Sequence, residues 1–405
     1  MTRKKLDVGG LLKPAFRPVD ESDWESLDAL ALNLFRPKTP IDTVQLFAGR
    51  FPQIKDLVDV VYEDGAHAII YGERGVGKTS LANVIAERVA PAIPRLKCVK
   101  ISCSPDDTFF NLWEHALYDY EYEGNTANKI LKDNQSLYQL YKMLETLDRS
   151  YKYLFVFDEF DRIKSDQAKT LMSDAIKHFS NNPANVTVIL VGVANTISDI
   201  FSEHESISRC TTQIKMPRMS ADELQDVVSS RLPKLCMNAD NSVVEKMIRY
   251  SQGLPGYMHL LGQLSARTAL ANRRMNITDA DLKSAVNSAL EKSDQSLRED
   301  YYKAIESSDP RATYKEVLLA CALAKTNELG KFYAKGVMEP LSKIRKKDIE
   351  IAHYSTPLGN LCLPERGPAL IRSGVKKRFQ YEFKNPLLQP LVILIGMRDG
   401  LISDY

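Results

Sequence analysis

The chain has no cysteine pair at metal-binding spacing and no long apolar run. Its six cysteines, Cys98, Cys103, Cys210, Cys236, Cys321 and Cys362, are scattered, and its six histidines do not cluster beside them. Neither a disulfide framework nor a zinc site is expected, and reduced buried thiols in a cytoplasmic protein fit this pattern. The longest purely apolar stretches, such as LVILIG at 391–396, are too short to cross a bilayer, so no membrane partner is expected. The opening MTRKKLDVGG is basic without an apolar stretch behind it, unlike a secretory signal. Net charge is nearly absent too, at +2 over 405 residues, and repeats and low-complexity tracts are missing.

The distribution of charge says more than its sum. Residues 297–405 hold 18 Lys and Arg against 13 Asp and Glu, while the other 296 residues hold 36 against 39. Within 331–384 the count is 12 against 5, a net of +7. Such a segment is either a nucleic-acid footprint or a solvated basic face. Hydrophobic content of 44% and charged content of 26% are ordinary for a globular protein, and the length suggests more than one domain.

Residues 1–40 are rich in proline and charge and read as an extension, with a short helix around Trp24 to Leu34. From 41 to 219, apolar strands alternate with amphipathic helices. The strands are AHAIIYG, LKCVKIS, YKYLFVFDE, NVTVILVG and the shorter TTQIKM. Strands this uniformly apolar are covered on both faces, which predicts a mostly parallel α/β sheet. After Met219 the strand pattern stops. A capping box at Ser220 and Glu223, a cap at Thr278 and apolar residues at helical spacing predict an all-helical segment over 220–292. The last part, 297–405, reads as a helix capped by Thr313 and Glu316, two further helices, and a hairpin strand KKRFQYEFKNP ended by Pro386. That is the layout of a winged helix-turn-helix.

The chemistry starts at YGERGVGKTS, Tyr71 to Ser80. Gly72, Glu73, Arg74, Gly75, Val76, Gly77, Lys78 and Thr79 form a complete G-x-x-x-x-G-K-[ST] loop, with Ser80 following. Glycines let the backbone amides turn toward phosphate oxygens, and the helix after Lys78 adds its positive end. Lys78 would reach the β- and γ-phosphates of ATP, and Thr79 would ligate Mg²⁺. The loop follows an apolar strand and precedes a helix, as this mechanism demands. In YLFVFDEFDRI, Asp158 and Glu159 stand at a strand end, where Asp158 would hold the Mg²⁺ shell and Glu159 would polarise an attacking water. In TVILVGVANTI, Asn195 at a strand end would orient that water or sense the γ-phosphate. Its alternative is an ordinary turn asparagine.

These elements in this order resemble the AAA+ P-loop ATPases: GERGVGKT as Walker A, FVFDE as Walker B and Asn195 as sensor 1. DEFDRI is similar to the origin-recognition and helicase-loading branch and to ATPases that regulate transposition. The resemblance covers residues 41–292 and implies an AAA+ parallel-sheet core at 41–219, a helical lid at 220–292 and the winged helix at 297–405. It also implies self-association, with an arginine from a neighbour completing each site. Arg209, just before the fifth strand, matches that position; its alternative is a surface arginine pairing with Glu203 or Glu205, and Arg218 is a weaker candidate. The lid departs from the usual pattern, because SQGLPGYMHLLG has Gly253, Pro255 and Gly256 but no sensor-2 arginine. This G-x-P form is similar to signal-transducing STAND ATPases and to the transposition ATPases, where the proline region packs near the nucleotide. His259 is either a substitute for that arginine or a packing residue.

Three readings follow. The first is an ATPase that assembles on double-stranded DNA, with Lys343, Arg345, Lys346, Lys347, Lys376, Lys377 and Arg378 meeting phosphates. The second is a STAND-like switch in signalling or phage defence that acts through a partner effector protein. The third is an ATP-bound scaffold with negligible turnover, and Glu159 argues against it. In the second reading the winged helix binds protein rather than DNA.

Overall fold

The computed structural model describes residues 18–40, 49–122, 124–133, 135–182, 185–194, 207, 209–375 and 378–402. They form two compact units. One runs from Pro40 to Pro217, and the other joins the segment up to Thr39 with the chain from Arg218 onward.

In the first unit five strands make one parallel sheet: β1 (His67–Gly72), β2 (Leu96–Ser102), β3 (Lys152–Asp158), β4 (Val186–Val193) and β5 (Thr211–Lys215). Their spatial order is β2-β3-β4-β1-β5, and every neighbouring pair is parallel. Burial follows the sequence pattern: β3 is buried from Tyr153 through Asp158 and β4 from Val186 through Gly192. Parallel strands need crossover helices, and those helices cover both faces. On one face Trp113 sits edge-on to Phe155, Phe157 and Phe179, with ring centroids 5.2, 5.4 and 5.9 Å away. The helix Asp166–Asn181 behind this cluster starts where the Ser165 hydroxyl accepts the Ala168 amide at 3.1 Å. Beyond β1, the helix Lys78–Val84 runs into a π-helical turn at Ile85–Val89, and the helical path ends at Ala90–Ala92 around Pro91. The carboxyl ends of β1 and β3 therefore lie two strands apart on one rim, where α/β sheets hold their ligands.

In the second unit the helices Ala221–Ser229, Asn241–Ser251, Pro255–Ala271 and Asp279–Glu291 form the expected helical segment. Its first helix carries the Ser220–Glu223 capping box. The Asp281 carboxylate accepts both the amide and the hydroxyl of Thr278. The segment 18–39 belongs to this unit. Its helix Glu21–Leu34 buries Leu27, Ala31 and Leu34, and the buried Arg231 donates to the Leu34 carbonyl at 2.9 Å.

The C-terminal elements follow in the order helix Tyr314–Leu323, β6 (Phe332–Tyr333), helix Ala334–Arg345, helix Ser355–Asn360, β7 (Leu370–Ser373) and β8 (Gln380–Phe383). The three strands form an antiparallel sheet in the order β6-β8-β7. Thr313 stands at the N-cap of the first helix, but its side chain makes no capping bond, so the Thr313–Glu316 cap does not form. The apolar run 391–396 lies in the final helix, Leu388–Arg398, whose residues Leu388 through Gly396 are all buried. Among the described residues no helix is long and apolar enough to cross a membrane.

Candidate functional site

The loop after β1 has the backbone that its glycines predict. Gly75 and Gly77 take φ values of 91° and 96°, a region closed to most side chains. At Gly72 the constraint is space, because a Cβ there would lie 2.4 Å from the Met216 carbonyl oxygen. Lys78 opens the following helix and is only 8% exposed. Its ammonium donates to the carbonyls of Gly72 and Glu73 at 2.9 and 2.8 Å. Burial pulls its pKa from 10.5 down to about 8, against the opposing pull of Asp161, Asp158 and Glu73.

Asp158 ends β3 at 2% exposure. Its Oδ1 accepts the Thr79 hydroxyl at 3.3 Å and the Glu159 amide at 3.0 Å. Its Oδ2 meets the Lys100 ammonium at 3.1 Å. The adjacent hydroxyl and carboxylate oxygens of Thr79 and Asp158 suit a small hard cation. These two residues would hold Mg²⁺, which when bound would neutralise charge on the β- and γ-phosphates. Glu159 turns the chain at φ 59°, an uncommon conformation for a residue with a side chain. Its carboxylate is tied to Arg162 at 2.5 Å, and both side chains are about half exposed.

Two contributors went unnoticed in the sequence. Lys100 was an ordinary strand lysine until the β2–β3 register placed Ser102 opposite Asp158. Arg50 is 2% exposed and donates to the Val76 carbonyl in the loop at 3.3 Å and to the Pro217 carbonyl at 2.6 Å. A third, Asp161, was visible in DEFDRI as a second acid. Its Oδ1 accepts the Val193 amide at 2.8 Å and so ties the turn after β3 to the end of β4.

The other expected residues fall elsewhere. Asn195, Lys376 and Lys377 lie outside the described residues. Arg209 is exposed beside the start of β5, in a groove of about 550 Å³ that also involves Glu63, Asp64, His67 and Lys177. Thr211 pairs with His67, so Arg209 sits at the amino end of β1 while the phosphate loop leaves its carboxyl end. Six strand residues separate the ends by roughly 17 Å. Arg218 is drawn into the second unit, where it donates to the Gln252 carbonyl at 3.1 Å and the Gln389 side chain at 2.7 Å. That engagement argues against it as the completing arginine. Pro255 is the first residue of the helix Pro255–Ala271. His259 is a packing residue: it is 5% exposed beside Phe35, and its Nδ1 accepts the Arg36 amide at 3.3 Å. Among the basic residues, Lys343 pairs with Glu339 at 2.9 Å, Arg345 is half-buried, and Lys346, Lys347 and Arg378 are exposed.

Comparison with known proteins gives this site its relatives. Residues 32–332 match the family described as Novel STAND NTPase 1. An ORC1-type DNA replication protein of Thermoplasma volcanium is 24% identical over 200 residues, covering 47% of this chain and 48% of that protein. ORC1-type DNA replication protein 9 of Halobacterium salinarum is 23% identical over 229 residues, 55% and 60% of the two chains. This chain thus spans about half the length of the curated relatives it matches. Among solved structures, a Walker-type ATPase of Pyrococcus abyssi superposes with a TM-score of 0.53 at 15% identity, covering 89% of this chain and 99% of that one. That likeness is one of fold, and it agrees with an AAA+ parallel-sheet core.

Proposed function

Because the chain belongs to the Novel STAND NTPase 1 family, we propose that it binds and hydrolyses ATP and assembles, in its ATP form, on double-stranded DNA. The observation that carries the hydrolytic half is the junction at Asp158: one buried carboxylate next to Thr79 of the phosphate loop, with Glu159 immediately after it. The loop amides and Lys78 receive the phosphates. Glu159 takes the proton of the attacking water once its carboxylate leaves Arg162, and Asn195 orients that water. Arg209 is too far along β1 to serve its own loop, so it acts on the γ-phosphate of a neighbouring copy.

The DNA half is supported by the C-terminal element order, helix, strand, helix, helix and two strands, which is consistent with a winged helix. The +7 balance of 331–384 and the likeness to ORC1-type DNA replication proteins support it as well. The core is taken as 41–219, the lid as 220–292 and the winged helix as 297–405. Lys343, Arg345, Lys346, Lys347, Lys376, Lys377 and Arg378 then meet backbone phosphates. A second reading, a STAND-type switch acting through an effector protein, is favoured by the family match and by the absence of a lid arginine near Pro255.

The test is ATP turnover with and without duplex DNA. Stimulation of several-fold, lost in Lys78→Ala, supports the first reading. Hydrolysis indifferent to DNA, with no duplex binding, moves the protein to the second. Absence of hydrolysis in all conditions overturns both.

A further inference from the structure

The C-terminal sheet carries a groove of about 680 Å³, lined by Tyr333, Ala334, Lys335, Gly336, Ile351, Phe379 and Tyr381. Its lining is mostly apolar and, among the described residues, contains no acid. Tyr381 stacks on the buried ring of Phe332 at 6.0 Å and 24°, so this side of the groove is fixed. Tyr333 and Ile351 are left 55% and 41% exposed on the walls of this groove. Phe379 lies under the Arg372 guanidinium, 4.5 Å from the ring centroid. Lys335 is exposed, and the helix that begins at Ala334 has neither a side-chain cap nor an acid in its first turn.

We propose that this groove takes unstacked bases of single-stranded nucleic acid. The segment that builds the groove carries a net +7 over 331–384, which favours a polyanion, while the groove is aromatic and favours flat apolar faces. Duplex DNA is a polyanion, but its base faces are closed in the stack. A strand with unpaired bases offers both surfaces at once: rings on Tyr333 and Phe379, and phosphates near Lys335 and Arg372. The inference rests on the DNA-associated reading and adds to it that the winged segment holds a melted strand and not only a duplex.

The test is fluorescence anisotropy on the full chain with saturating Mg-ADP, repeated with a non-hydrolysable ATP analogue. The probes are an oligo-dT strand, the same length of duplex, and a strand of abasic sites. The oligo-dT strand should bind about tenfold more tightly than the abasic strand, the scale of base–aromatic stacking. Tyr333→Ala should remove that preference and leave the duplex within about twofold, while Tyr333→Phe, which keeps the ring, should bind as the parent does. Ile351→Ser, at a second exposed wall, should weaken the strand and spare the duplex. Excess free dTMP should leave the strand bound, since one phosphate cannot replace the backbone contacts.

Equal affinity for abasic and oligo-dT strands, or parental strand binding by Tyr333→Ala, would overturn the inference. So would displacement by dTMP. Tight duplex binding without strand binding would overturn it while leaving the proposed function intact. Strand binding sensitive to Tyr333 without duplex binding would uphold it and remove duplex DNA from the proposed function.

Discussion

Lys78 shows how a single side chain sets the working range of the site. Buried to 8% exposure, it has a pKa pulled down to about 8, chiefly by burial. Below that pH the ammonium is charged, and above it the site loses the cation that would meet the phosphates in the proposed function. ATP affinity should therefore fall as pH rises above 8, by about tenfold at one unit above, measured by calorimetry. Lys78→Arg, which stays charged, should abolish the slope, whereas Lys78→Ala should bind ATP at no pH. Glu159→Gln should keep ATP binding and stop turnover, because the amide holds the shape but takes no proton. ATP turnover close to the parent's would place the base elsewhere. Lys78, Thr79, Asp158 and Glu159 were legible because each lies in a short local pattern after an apolar strand. Lys100 and Arg50 were not, because their partners arrive through strand register and through the chain's return at Pro217. Lys100 competes for the carboxylate that would hold the metal. Lys100→Met should thus lower the Mg²⁺ concentration needed for half-maximal ATP binding, and an unchanged or higher requirement would reverse that assignment.

At the scale of elements, the segment 18–39 is a clasp on the helix Pro255–Ala271. Asp28 pairs with Arg267 at 2.7 Å, the Gln263 amide donates to the Phe35 carbonyl at 2.5 Å, and Arg231 spans Leu34 and Val227. Gly262 makes room for it, since a Cβ there would lie 2.5 Å from the Phe35 ring. The helix itself could be read from Leu27, Ala31 and Leu34, spaced to share one face. Its docking partner could not, because the helix Pro255–Ala271 is apolar on most sides and several segments would fit it. Arg231→Ala would leave two buried carbonyls unpaired and should cost about 2–4 kcal/mol in urea unfolding. A second contact, between His259 and the Arg36 amide, should make the clasp acid-sensitive. His259 must be neutral to accept the Arg36 amide, and burial lowers its pKa from 6.5 to about 3. The unfolded histidine takes a proton near pH 6.5 and the folded one does not. Its contribution is complete above pH 6.5 and is lost as pH falls from there toward 3. His259→Gln should flatten that part of the stability curve, and an unaltered pH dependence would show that other groups govern it.

At the scale of the whole molecule, alternation of strands and helices was enough to foresee a parallel sheet, but not its order. That order places β1 between β4 and β5, and with it Arg209 at the end of β1 away from the phosphate loop. The distance has a consequence for turnover. On the proposed reading a lone chain holds Gly72 to Thr79, Asp158 and Glu159, and Arg209 of a neighbouring copy brings the cation that steadies the transferring phosphoryl group. Specific ATPase activity should then rise with protein concentration until assembly is complete. Arg209→Ala should bind ATP as the parent does and turn over slowly, by orders of magnitude if it acts as such arginines do. Lys78→Ala should be inactive for the opposite reason, since it has the arginine but no bound ATP. Mixed, the two inactive variants should recover activity, because a Lys78→Ala chain can still offer Arg209 to an Arg209→Ala chain holding ATP. Lys78→Ala,Arg209→Ala chains mixed with Arg209→Ala should recover none, which separates donation of the side chain from assembly alone. Flat specific activity over a wide concentration range, full turnover in Arg209→Ala and no recovery on mixing would mean that each chain hydrolyses ATP by itself. The groove at the start of β5 would then have no part in the reaction.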